Sequence, residues 1–160
     1  MSGMLKPAVL LLTVLSLLSQ AWSAELPSRK YLNLSALKTM AAAAESEAKK
    51  RNVEVTICIV DENGNILFLQ KADRPGISTV SFALRKAKHA AMYGQPSKSG
   101  ADRLKGGDQF VMFMPDAFPN QGGLPIKVDG KTIGAIACSG AASEVDEAIS
   151  QAAIDALLKP

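Results

Sequence analysis

The chain has 160 residues, 48% of them hydrophobic and 21% charged, with a formal net charge of +3. So small a charge, evenly spread, gives no electrostatic ground for a nucleic-acid or membrane-surface partner. Two cysteines and a single histidine, with no CxxC, CxxCH or Cys/His cluster, argue against a zinc site and against covalent c-type haem.

Lys6 gives a short positive n-region, and Pro7 to Leu18 is an almost unbroken apolar run without charge. Ala21-Trp22-Ser23 places small residues where a signal peptidase reads, so residues 1–23 are expected to be a signal peptide cut after Ser23, the alternative being an uncleaved N-terminal anchor. The run is too short for a spanning helix, which takes roughly 20 residues. No later segment is long and apolar enough to span. Removing residues 1–23 leaves 137 residues, 24–160, the size of one domain. The expected location is periplasmic or secreted.

Asn33 reads as the N-cap of a helix from Leu34 to about Arg51, with Leu34, Leu37, Ala41, Ala44 and Ala48 on one stripe. The β-branched run Val53 to Val60 and the run Ile66 to Leu69 flank Asn63-Gly64, a strong hairpin signal. After the turn residues Asp73-Arg-Pro-Gly76, Ser78 or Thr79 caps a second helix that runs to about Tyr93, with Gly94 as its stop. A shorter polar helix spans Ser97 to Lys105, ended by Gly106-Gly107. Phe110 to Met114 reads as a short strand, and Asp116 to Gly123 as a loop. Leu124–Val128 and Thr132–Cys138 around Asp129-Gly130 form a second hairpin. The last helix begins at Ser139 or Ser143, with Val145, Ala148, Ile149, Ala152, Leu157 and Leu158 able to face inward. Two tight hairpins imply antiparallel pairing, so the expected fold is α+β: one domain, with an antiparallel sheet of about five strands flanked by helices.

Cys58 and Cys138 both fall in strands. They suit two small buried hydrophobes, while an oxidising compartment would permit a disulfide.

The second helix carries the main functional signal. At about 100° per residue, Val80, Ala83, Leu84, Ala87, Ala90, Ala91 and Gly94 share the arc that packs on the sheet. Phe82, His89 and Tyr93 fall on the opposite side with Lys86 beside them, a face expected to cover a ligand, a partner subunit or both. A lone histidine is most often an ordinary hydrogen-bonded side chain. An imidazole flanked by aromatic rings and a cation is also the inventory of a haem site. Elsewhere the bland readings win. Gly122-Gly-Leu-Pro125 suits a turn better than an anion nest. Asp146-Glu147 suits the helix dipole, and Asp61-Glu62 an ordinary surface turn. Met112 and Met114 read as core positions of a strand. Ser139 lacks a GxSxG elbow, and no nucleophile with its base is in view.

From Leu34 to the last helix the chain resembles the HbpS/GlcG family of haem-binding-type proteins, related to the C-terminal domain of PduO-type proteins. The resemblance rests on Ala41-Ala-Ala-Ala-Glu45, Val60-Asp-Glu-Asn-Gly64, Lys86-Ala-Lys-His-Ala90 and Pro96-Ser-Lys98. It rests most specifically on Gly122-Gly-Leu-Pro-Ile126, Asp129-Gly130, Ile133-Gly-Ala-Ile136, Ser139-Gly140 and Asp146-Glu147. It implies a compact, profilin-like domain, a homo-oligomer, and haem binding in some members, with secreted ones linked to redox or iron sensing. His89 occupies the place the family usually gives to threonine in Lys-Ala-x-Thr-Ala, a position that resembles the haem-contacting one. Ala72-Asp73-Arg74-Pro75-Gly76 departs from the family's Met-Asp-Gly-Ala. The expected function is therefore an exported binding protein for haem b rather than an enzyme. His89 would be the axial metal ligand, Phe82 and Tyr93 the ring contacts, and Lys86 or Arg85 the propionate partner. Its role would be haem capture or redox/iron sensing through a sensor or transport partner. The rival readings are a haem-free oligomeric interaction module, and a binder or enzyme of a small organic acid.

Overall fold

The computed structural model describes residues 25–159; the signal segment read at residues 1–23 lies outside them. Helix α1, Leu34–Lys50, starts as expected at Asn33, whose side chain accepts the Ala36 amide at 2.9 Å. Lys49 and Lys50 lie in its last turn, where the dipole favours cations. Leu37, Met40, Ala41, Ala44 and Ala48 form its buried stripe, whereas Leu34 is exposed.

Strands β1, Thr56–Asp61, and β2, Ile66–Lys71, pair antiparallel. The turn between them is held by the Asp61 carboxylate, which accepts the amides of Asn63 and Asn65 at 2.9 and 2.8 Å. Helix α2, Ser78–Tyr93, ends at Gly94 in the left-handed region (φ 58°). Neither Ser78 nor Thr79 caps it. The Thr79 hydroxyl instead donates to the Gly76 carbonyl and meets the buried Thr56 hydroxyl, each at 2.7 Å. Helix α3, Lys98–Lys105, follows.

The strand expected at Phe110–Met114 is absent. Gln109–Phe113 is a short 3-10 helix started by the Asp108 side chain, which accepts the Phe110 amide at 3.1 Å. Its apolar side chains have no sheet to join: Val111 is buried, while Phe110, Met112 and Phe113 are exposed. The sheet accordingly has four strands rather than five, in the order β2-β1-β4-β3, with β3 at Gly123–Val128 and β4 at Lys131–Ser139. Every pairing is antiparallel. Helix α4, Ser143–Leu158, closes the fold and buries Asp146, Ile149, Ser150, Ala153 and Ile154. That stripe is rotated from the expected one and takes in two polar residues.

Three layers result. One sheet face packs on α1 and α4 through Leu37, Met40, Ile57, Ile136, Cys138 and Ile149. The other packs on α2 through Cys58, Val60, Ala83, Ala87, Ala90, Ala135 and Ala137. Small residues on both sides of that second contact let α2 approach the sheet closely. The two thiols thus lie on opposite faces of the sheet, both free and fully buried, so the disulfide alternative fails on geometry. Burial pushes each of them up to about 12. Among the described residues no helix is long and apolar enough to cross a membrane.

Candidate functional site

The face of α2 that carries Phe82, Lys86, His89 and Tyr93 is covered by the chain itself. The segment linking α2 to β3 folds back over it. Phe118 packs edge-on against Phe82 (centroids 5.4 Å apart), and the Arg85 guanidinium lies 4.1 Å from the centre of the same Phe118 ring. The Tyr93 hydroxyl donates to the Pro115 carbonyl. A helical wheel tells which residues share a face and nothing about what covers it.

His89 is 2% exposed. Its Nδ1 accepts the Phe118 amide at 2.9 Å, and its ring tilts against Tyr93 with centroids 5.0 Å apart. Gly100 on α3 makes room for it, since a Cβ there would lie 2.8 Å from His89 Cε1. The ring lines a cleft of about 280 Å³ with Tyr93, Gly100, Arg103, Val111 and Met114. An Nδ1 that accepts an amide proton leaves the neutral ring with its own proton on Nε2. The imidazole therefore presents a donor to the cleft, and iron ligation through Nε2 requires the ring to give up the Phe118 amide.

Burial, assisted by the Arg103 charge, holds His89 below its ordinary 6.5. Above 6.5 both folded and unfolded chains carry it neutral. As the pH falls through 6.5 the unfolded chain takes up a proton that the folded one refuses, so stability falls until the folded-state value is reached. The thermal-midpoint difference between the wild type and His89→Asn should shift against the wild type between about pH 8 and about pH 5.5. A difference constant across that interval would show that His89 is not held neutral.

Lys86 lies elsewhere than expected. Its Nζ is 2.8 Å from Asp146 Oδ2 and 3.2 Å from the Cys138 carbonyl, and both side chains of the pair are 2% exposed. Asp146 Oδ1 accepts the Ala141 amide at 3.0 Å. Burial pushes the Asp146 carboxyl up, against the pull of the Lys86 ammonium. Lys86 is thus committed to an internal ion pair and is not available to a propionate, and Arg85 is engaged on Phe118. Around the pair the backbone is tightly tied. Ser150 donates to the Gly122 carbonyl at 2.8 Å, and the Ser97 hydroxyl accepts the Gly123 amide at 2.9 Å. Gly122 sits at φ 126°, and a Cβ there would lie 2.9 Å from Lys86 Nζ. Among the described residues, no three His, Cys, Asp or Glu side chains converge as a metal-binding group.

Comparison with known proteins bears on this arrangement. The family model described as "Haem degrading protein HbpS-like" matches residues 32–155. The chain belongs to the HbpS-like family. It is 32% identical over 131 residues to a 15.0 kDa protein from the dhaT-dhaS intergenic region of Citrobacter freundii, covering 78% of this chain and 90% of that one. A double mutant of HbpS from Streptomyces reticuli superposes with a TM-score of 0.77 at 30% identity, covering 86% of this chain and 94% of that one. The fold is also that of PduOC, solved as a haem complex: TM-score 0.75, 24% identity, 81% of this chain and 96% of that one.

In this HbpS-like chain, four of the strings that carried the resemblance meet at one place. Lys86 and Asp146 form the buried ion pair, and Gly122-Gly123 and Ser139-Gly140 lie against it. Sequence reading assigned Asp146 to a helix dipole and the glycine pair to a turn. The available signal was a lysine beside an alanine stripe, together with an acid in the first turn of the last helix.

Proposed function

We propose that the chain is an exported haem b-binding protein of haem capture or of redox/iron sensing, with haem received at the outer side of the C-terminal half of α2. The carrying observation is that the sole histidine lines a cleft walled by Tyr93, Val111 and Met114, with Arg103 as its cation. That donor set fits a haem: an imidazole for the iron, apolar walls for the ring and a guanidinium for a propionate. The covered arrangement fits it less well, because Nδ1 is spent on the Phe118 amide. Binding on this reading lifts the Pro115–Pro119 stretch, turns Nδ1 into a donor and frees the Nε2 lone pair. Arg103 replaces Lys86 and Arg85 as the propionate partner; its guanidinium, held by the Asp108 carboxylate at 2.6 and 2.9 Å, exchanges that exposed pairing for the propionate.

The family's description supports the haem reading, and the n-region, apolar run and cleavage residues before Ala24 support export to the periplasm or medium. The exposed Ile66, Leu67 and Leu69 on edge strand β2 support a homo-oligomer. A sensor or transport partner would then take up the signal or the haem.

Hemin titrated into the mature protein should give a saturable Soret shift. His89→Ala should abolish the low-spin spectrum, and Arg103→Ala should weaken binding by about tenfold, the worth of one charge-assisted contact. A wild type that never saturates, or a His89→Ala spectrum identical to it, defeats the assignment.

A further inference from the structure

A second cleft, also of about 280 Å³, opens between the N-terminal halves of α2 and α4, away from His89. The Lys86–Asp146 pair forms part of its wall, with Phe82 along one side and Asn120 and Ser143 at the rim. Ser139, the last residue of β4, also lines it. Although 94% of its surface is buried, its hydroxyl has no hydrogen-bond partner among the described residues. The hydroxyl itself opens on the cleft and is free to donate to whatever occupies it.

The first turn of α4 adds further donors. The amides of Val145 and Asp146 turn back onto the Ala142 carbonyl, each at 2.9 Å, which leaves those of Ser143 and Glu144 without a backbone acceptor. The Asp146 carboxylate is already satisfied on both oxygens, by Lys86 and by the Ala141 amide, and its charge is offset in place. What the cleft presents is therefore a pair of donors: the Ser139 hydroxyl and the Ser143 amide at the positive end of a 16-residue helix. The half-exposed Phe82 ring is its apolar wall.

From this we infer that the cleft is a binding site for a small monocarboxylic acid, its carboxylate on the Ser139 hydroxyl and the Ser143 amide and its apolar body against Phe82. A single negative charge suits the site better than two. The exposed Glu144 carboxylate in the same turn opposes a phosphate dianion. The volume fits a molecule of a few heavy atoms, at the small end of ligand pockets.

The test is a titration of the mature protein with butyrate, and separately with inorganic phosphate, followed by amide NMR shifts. Butyrate should move the Ser139–Glu144 amides saturably with a Kd of about 1 mM, and Ser139→Ala should weaken it five- to tenfold, about 1–1.4 kcal/mol. The site is overturned if butyrate fails to saturate those amides by about 50 mM, or if Ser139→Ala binds as tightly as the wild type. Phosphate binding more tightly than butyrate overturns the ligand class. None of these outcomes touches the Soret titration, so the two clefts stand or fall separately.

Discussion

Asp146→Ala is expected to cost the fold about 3–5 kcal/mol, the usual consequence of removing one partner from a buried ion pair. The loss arises at Lys86. Its ammonium would keep the Cys138 carbonyl at 3.2 Å as its one remaining partner, with the cleft that the pair lines as its route to water. The Ala141 amide would lose its acceptor in the same step. Domains of this size are stable by about 5–15 kcal/mol, so the variant should sit near the edge of folding. Urea unfolding followed by circular dichroism reads the effect. The pairing predicts its own rescue: Lys86→Met with Asp146→Ala together should recover more than half of the loss, because a matched apolar pair leaves no orphaned charge. If the single and double variants are equally unstable, the cost belongs to packing and not to the charge.

Gly123→Ala is expected to destabilise by about 3 kcal/mol or more, at or above the upper end of ordinary overpacking. A Cβ at Gly123 would lie 2.4 Å from the Lys86 carbonyl oxygen and 2.7 Å from its carbon. Both atoms are backbone in the middle of α2, so no rotamer change relieves the contact. Relief requires α2 to withdraw by about an ångström, which loosens Ala83, Ala87 and Ala90 from the sheet and stretches the Lys86–Asp146 pair. Gly76→Ala is the matched control, since the nearest atom to its Cβ is the Ser78 hydroxyl at 3.9 Å and its φ lies outside the left-handed region. That change should be neutral or slightly stabilising through the unfolded chain. Equal losses at both glycines, again by urea unfolding, would refute the close-approach account.

Much of the fold was legible where a local signal had a local cause. Asn33 caps α1 because its own side chain does so, Asn63-Gly64 and Asp129-Gly130 turn because their residues tolerate positive φ, and Gly94 ends α2 for the same reason. The misread segment, Phe110–Met114, has strand-like composition but no strand edge to join, and Asp108 starts a tight helical turn instead. The candidate site was half legible. His89 and Tyr93 share a face and touch, as the wheel arithmetic predicts. That Phe118 would occupy the same face, and that Lys86 would turn toward an acid 60 residues away, are long-range facts with no trace in periodicity. Burial also inverts the ordinary expectation for charge: a lysine and an aspartate, each usually at the surface, sit here among the most enclosed side chains of the protein.

The placement of the two cysteines has a consequence for chemistry outside the fold. Thiols held near 12 on opposite faces of a sheet supply almost no thiolate at neutral pH, and each is shut off from oxidants and from the other. The two thiols are therefore redox-silent while the chain is folded. A thiol–disulfide response is thus closed to the folded chain, whatever it binds.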